Sequence, residues 1–194
     1  IITIGDDADV IETGRFYLPE VQGNPNNYTV PLAERDFACI EIKNMGSSVV
    51  VGDHLTAAGI GLRLKPTNDS YVAHNNFLNF KVTSGVRIAL QIYSTETYGW
   101  VNQNTFDGFN WTPTSSDNSL GTLIGVHMLK EAAAVLTPNN NTFPNCCFQP
   151  ALRPTAYGLT LTPSATTVEL HSYYHNPTTF LEYNCTAVGS GTIA

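Results

Sequence analysis

Charge is scarce in this chain: Asp, Glu, Lys and Arg make up 13% of its 194 residues, about half the share of an average soluble domain. Solubility must then rest on uncharged polar groups, and Asn, Thr, Ser and Gly are plentiful. Helical bundles draw on Glu, Lys, Ala and Leu, so this composition speaks for turn-rich β-structure. Basic residues are few as well. Nine Lys and Arg stand singly between Arg15 and Arg153, and the net charge is −7. No basic stripe is present to displace counterions, which argues against a nucleic-acid partner. The acidic balance also disfavours anionic membrane surfaces. No apolar run of about 18 residues occurs, so no membrane insertion is expected. No secretory signal is visible, and a chain opening at Ile1 is expected to be a processed product or part of a longer one.

Cysteines number four: Cys39, Cys146, Cys147 and Cys185. Cys146 and Cys147 are adjacent, so on a strand they point to opposite faces and do not readily pair. No C-x-x-C spacing exists, and no zinc site is expected. Buried free thiols are the expected state, with a disulfide as the alternative.

What the sequence does contain is strand punctuated by turns. The 15 glycines and 11 prolines recur throughout and leave no room for a long helix. The one helix-like stretch is 128–136 (MLKEAAAVL), closed by Pro138. Residues 1–4, 15–18, 28–30, 38–42 and 49–51 read as early strands. From about residue 59 a degenerate repeat emerges. One element is a small residue leading into apolar alternation: 59–64 (GIGLRL), 86–92 (VRIALQI), 123–128 (LIGVHM) and 157–161 (YGLTL). The other sets Asn before an aromatic: 75–80 (NNFLNF), 102–109 (NQNTFDGF) and 140–148 (NNTFPNCCF), with a worn copy at 168–174. Phe77 and Phe106 are 29 residues apart, Phe106 and Phe143 37, and the excess fits a loop over 111–121. Units of this size cannot bury an apolar face alone, so they are expected to stack and pair in parallel, hiding the three rings in one column. Asn suits the turns because it tolerates left-handed backbone angles, and stacked Asn side chains can bond in ladders.

This pattern, N-x-N-x-F-x-G-F followed by N-N-T-F-x-N-C-x-F, resembles the right-handed parallel β-helix of bacteriophage tailspikes and tail fibres and related pectate-lyase-like proteins. The resemblance covers residues 38–185 or so. It implies an all-β fold with an N-terminal β-strand region over 1–58, compatible with a small β-subdomain, and repeating coils over 59–194. The family's members are commonly homotrimers on the virion surface, outside the cell, that bind and often cleave bacterial surface polysaccharide. A β-sandwich or jelly roll is the rival architecture, since ten or more short strands suit it too. A non-catalytic structural virion protein (capsid, decoration or fibre-head subunit) is the rival function.

Glycoside cleavage needs two carboxyl groups. Glu96 and Asp107 are the candidate catalytic pair, and Tyr93, Tyr98, Trp100 and Trp111 the candidate substrate-binding residues, because ring faces stack on the apolar face of a sugar. The competing account makes Asp107-Gly108 a plain turn and Glu96 a solvated carboxylate. Asp6, Asp7 and Asp9 lack the remainder of a calcium loop. His171 and His175 lack a third ligand, and His127 reads as a hydrogen-bonded core or interface histidine. No metal or cofactor is therefore expected. No G-x-S-x-G or dinucleotide fingerprint occurs. Glycosylation sequons stand at Asn27, Asn68, Asn110, Asn140 and Asn184.

Overall fold

The computed structural model describes residues 2–5, 9–22, 37–56, 59–83, 85–86, 88–94, 99–112, 124–130, 138, 140–148, 159–163, 169–170, 186–187 and 192–193, with side-chain detail up to Cys146. The sequence readings at Asp6, Asp7, 28–30, Glu96, Tyr98, His171, His175 and Cys185 lie outside the described residues.

The chain passes repeatedly through the same series of short strands. The first pass supplies β1 (Ile2–Ile4), β2 (Ile11–Glu12), β3 (Arg15–Tyr17) and β4 (Val21–Gln22). The second supplies β5 (Ala38–Ile42), β6 (Met45–Gly46), β7 (Val49–Val51) and β8 (His54–Thr56). The third supplies β9 (Ile60–Leu64), β10 (Tyr71–Ala73), β11 (Asn76–Leu78) and β12 (Lys81–Val82). The fourth supplies β13 (Ile88–Ser94), β14 (Trp100–Asn102), β15 (Thr105–Asp107) and β16 (Asn110–Trp111). Beyond these come β17 (Ile124–Lys130), β18 (Cys147–Phe148), β19 (Leu159–Pro163), β20 (Glu169–Leu170), β21 (Thr186–Ala187) and β22 (Thr192–Ile193).

Equivalent strands of successive passes pair in parallel. The first ladder runs β1-β5-β9-β13-β17-β19-β21, the second β2-β6-β10-β14, the third β3-β7-β11-β15 and the fourth β4-β8-β12-β16-β18. A separate pair joins β20 to β22. The fold is therefore all-β with parallel sheets, and the antiparallel ladders of a jelly roll do not occur among the described residues. The repeat legible from residue 59 extends back to Ile2, since β5 pairs with β1 on one side and β9 on the other.

Residues 128–130 belong to a strand rather than a helix. Met128 sits in register between Ile92 and Leu161, extending the buried row Ile42, Leu64, Ile92. Strand pairing and burial there outweigh the helical propensity of the MLK run.

The core lies between the ladders. Phe77 and Phe106 stack with ring centroids 4.9 Å apart, and Phe106 and Phe143 with centroids 5.3 Å apart. The expected aromatic column is thus present, and Phe80 and Phe109 form a second stacked pair at 5.7 Å. Cys39 and Cys146 are buried free thiols.

Two corners are built on left-handed residues, the first in all five passes described and the second from the third pass onward. Between the second and third ladders, a residue with left-handed φ precedes one that faces inward: Thr13-Gly14, Ser47-Ser48, His74-Asn75, Gln103-Asn104 and Asn140-Asn141. Between the third and fourth, Asn79 (φ 60), Gly108 (φ 69) and Asn145 (φ 53) turn the chain. Asn and Gly meet that backbone demand at the least steric cost. The inward residues of the first corner bond from pass to pass. The N–H of Ser48 donates to Asn75 Oδ1 (3.0 Å), that of Asn75 to Asn104 Oδ1 (3.1 Å) and that of Asn104 to Asn141 Oδ1 (3.2 Å). Each Asn also donates its amide to a main-chain carbonyl: Asn75 to Met45, Asn104 to Val72 and Asn141 to Val101. Backbone groups that a tight corner would strand inside the core are thereby satisfied.

Candidate functional site

The residues that lie close in sequence around Asp107 fall on four different ladders. Tyr93 is in β13, Trp100 opens β14, Asp107 closes β15 and Trp111 closes β16. One pass of the chain thus distributes them over four ladders rather than gathering them on one. Trp111 is fully buried, in register with Val82 and Phe148, because its neighbour Asn110 is the exposed one. A ring enclosed on all sides cannot stack on a sugar, which removes Trp111 from the substrate-binding set; Phe109 is equally buried. Asp107 is half-buried, and its Oδ1 accepts a hydrogen bond from Asn145 Nδ2 at 2.9 Å. Tyr93 is half-buried, with Lys65 Nζ 5.5 Å from its ring centroid.

Trp100 does have a partner, on the second ladder. Tyr71 opens β10 directly opposite Trp100, and the two rings lie 5.4 Å apart at 43°. The Tyr71 hydroxyl donates to the Glu12 carboxylate. Tyr71 belongs to the third pass and Glu12 to the first, so the ring must cross the second. Gly46 makes that crossing possible: a Cβ there would stand 2.9 Å from Tyr71 Cε2. The hydrogen bond to Glu12, partial burial and the negative charge of Glu12, in that order, raise the Tyr71 pKa above the ordinary tyrosine value. The result is two tilted, half-exposed rings beside an oriented carboxylate, with exposed His74 and Gln103 at the adjoining corner. Such a platform offers apolar faces for C–H groups and an acceptor for hydroxyls. Sequence reading missed Glu12 and Tyr71. Tyr71 could have been found from the repeat, since Asn75 and Asn104 are spaced 29 apart and the same step carries Tyr71 onto Trp100. Glu12 had no such signal, because the first two passes differ in length from the later ones.

The first ladder carries a polar row between its buried rows. Arg63 Nη1 donates to Glu41 Oε2 at 3.1 Å and Arg63 Nε to Gln91 Oε1 at 2.7 Å. With its oxygen so engaged, Gln91 turns its amide nitrogen to His127 Nδ1, 3.1 Å away. His127 is thus a hydrogen-bonded histidine within a sheet. The row holds Arg63 and Gln91 at 5% exposure, too enclosed for a ligand to reach.

The chain matches no protein-family model, no curated protein and no solved structure.

Proposed function

We propose that the ladders wind as a right-handed parallel β-helix of the phage tailspike type, and that the chain recognises surface polysaccharide at a virion surface through its second ladder. The observation that carries this reading is the Tyr71–Trp100 ring pair beside Glu12, mounted on strands rather than on loops. A platform of fixed strands binds a flexible glycan without paying to order itself. The parallel ladders, the aromatic column and the Asn ladder support the coil architecture. Trp100 keeps the role expected of it, and Glu12 and Tyr71 join it. Asp107 remains the candidate acid or base for cleavage on the third ladder.

The test is binding of the intact chain to a panel of bacterial polysaccharides by microarray and calorimetry. Trp100→Ala and Tyr71→Ala should each weaken the bound glycan by about tenfold or more, ~1.4 kcal/mol, with the circular dichroism spectrum unchanged. Binding that survives both substitutions, or no binding across the panel, overturns the reading. Glycan cleavage lost in Asp107→Asn with binding retained would assign degradation as well.

A second reading, a structural virion subunit, draws on the third ladder. Its outward row carries Tyr17, 69% exposed, beside half-buried Val51 and Leu78. An apolar row of this kind suits contact with further copies of the chain, as in a homotrimer. Light scattering separates the two: a trimer broken by Tyr17→Glu places the subunit contact on this row, whereas a monomer sinks it.

A further inference from the structure

The outer face of the fourth ladder brings together a carboxylate, an imidazole and a hydroxyl from three successive passes. Glu20 precedes β4, His54 opens β8 and Thr83 follows β12. Alternation along each strand turns Val21, Leu55 and Val82 into the core, so Glu20, His54 and Thr83 face out. Glu20 Oε1 lies 3.3 Å from His54 Nδ1, and Thr83 Oγ1 lies 2.5 Å from His54 Nε2. The carboxylate fixes the tautomer: with the proton on Nδ1 toward Glu20, Nε2 presents its lone pair to the Thr83 hydroxyl. A nucleophile bonded to a base that is itself oriented by a third group is the geometry of acyl transfer, recognised by roles rather than by sequence order. The side chains remain open to reactants, with His54 31% and Glu20 60% exposed.

We infer that Glu20, His54 and Thr83 form an acyl-transfer site for small carboxylic esters. Thr83 Oγ attacks the ester carbonyl carbon while its proton passes to His54 Nε2. Collapse of the tetrahedral adduct breaks the carbon–oxygen bond to the alcohol, which leaves with that proton. Water, deprotonated by His54, then hydrolyses the acyl-Thr83 ester, releasing the carboxylic acid and restoring the hydroxyl. Lys81, in register with His54 and exposed on the same face, supplies positive charge for the oxyanion. Glu20 is a positioning residue that acts through His54. The site lies on a different ladder from the ring pair and does not depend on glycan binding.

The experiment is hydrolysis of an aryl acetate by the intact chain, with peptide mass spectrometry of the quenched reaction. The expected result is turnover with an acetyl adduct on Thr83. Thr83→Val and His54→Gln should each lower kcat/KM by about a hundredfold or more, with thermal melts unchanged. Thr83→Ser should restore turnover. His127→Gln, on the first ladder, serves as the control for adventitious hydrolysis by another imidazole, and should have no effect. Glu20→Gln should lower kcat with KM unchanged, a split that a merely structural role would not produce. Turnover indifferent to Thr83→Val, an adduct elsewhere, or no turnover above buffer overturns the inference.

Discussion

Asn75 donates twice to the carboxamide oxygen of Asn104: its main-chain N–H lies 3.1 Å away and its side-chain Nδ2 3.0 Å. Asn104 in turn donates to Val72 O and Asn141 Oδ1. It is the middle of a buried ladder in which each member satisfies the main chain of its neighbours. Asn104→Ala would leave the buried Asn75 N–H without its acceptor, so urea denaturation should show a loss of about 1–3 kcal/mol. An exposed Asn110→Ala should fall within about 0.5 kcal/mol of the parent. Equal midpoints for the two variants would refute the ladder's structural role.

Phe106 stacks against Phe77 on one side and Phe143 on the other, and is fully buried. Phe106→Ala should cost about 3–5 kcal/mol in chemical denaturation. Phe143→Ala should cost less, because Phe143 stacks against one described ring and retains 5% exposure. The reverse order would mean that the column does not carry the core.

Much of this arrangement was legible beforehand. The four small-then-alternating segments became β9, β13, β17 and β19, consecutive members of one ladder, because a row of buried Leu, Ile, Val and Met imposes its own period on the sequence. Phe77, Phe106 and Phe143 stack because the Asn corner places each at the same point of its pass. The first two passes were hidden: Gly14 and Ser48 stand where later passes have Asn, and Phe16 and Val50 are in register with Phe77. Facing was the other gap. Trp111 and Trp100 look alike in sequence, but Trp111 aligns with the buried Leu55 and Val82 positions, a parity visible only once register is known. Expecting Tyr93, Trp100, Asp107 and Trp111 in one site assumed that chain proximity means spatial proximity, and a chain that changes ladder every few residues breaks that link.

Gly61 has no room for a side chain. A Cβ there would lie 2.6 Å from the main-chain oxygen of Ala89 in the next pass and 3.3 Å from Val82 Cγ1. The closest atom is backbone in a paired strand, so it cannot swing aside. Gly61→Ala should destabilise by about 1–3 kcal/mol, as overpacking does, despite the gain of a better strand-former than Gly. A thermal melt at or above the parent's would show that the passes lie further apart than this contact requires.

The Glu12–Tyr71 pair predicts a specific alkaline response. Glu12, chiefly through its hydrogen bond, holds the Tyr71 phenol protonated above its ordinary value, which is about 10. The folded chain therefore retains a proton that the unfolded chain has released. Stability from this group is whole below the unfolded value and is lost as pH rises through the higher folded value. Glu12→Gln keeps an acceptor but removes the charge, so Tyr71 should titrate at lower pH than in the parent. Ultraviolet difference titration isolates the group from the chain's nine tyrosines when each trace is referred to its Tyr71→Phe counterpart. The alkaline decline in melting temperature should likewise be shallower in Glu12→Gln. A Tyr71 titration unchanged even in Glu12→Ala, which removes acceptor and charge together, would show that the phenol does not rest on Glu12 in solution, and Trp100 would then stand without an oriented partner on that face.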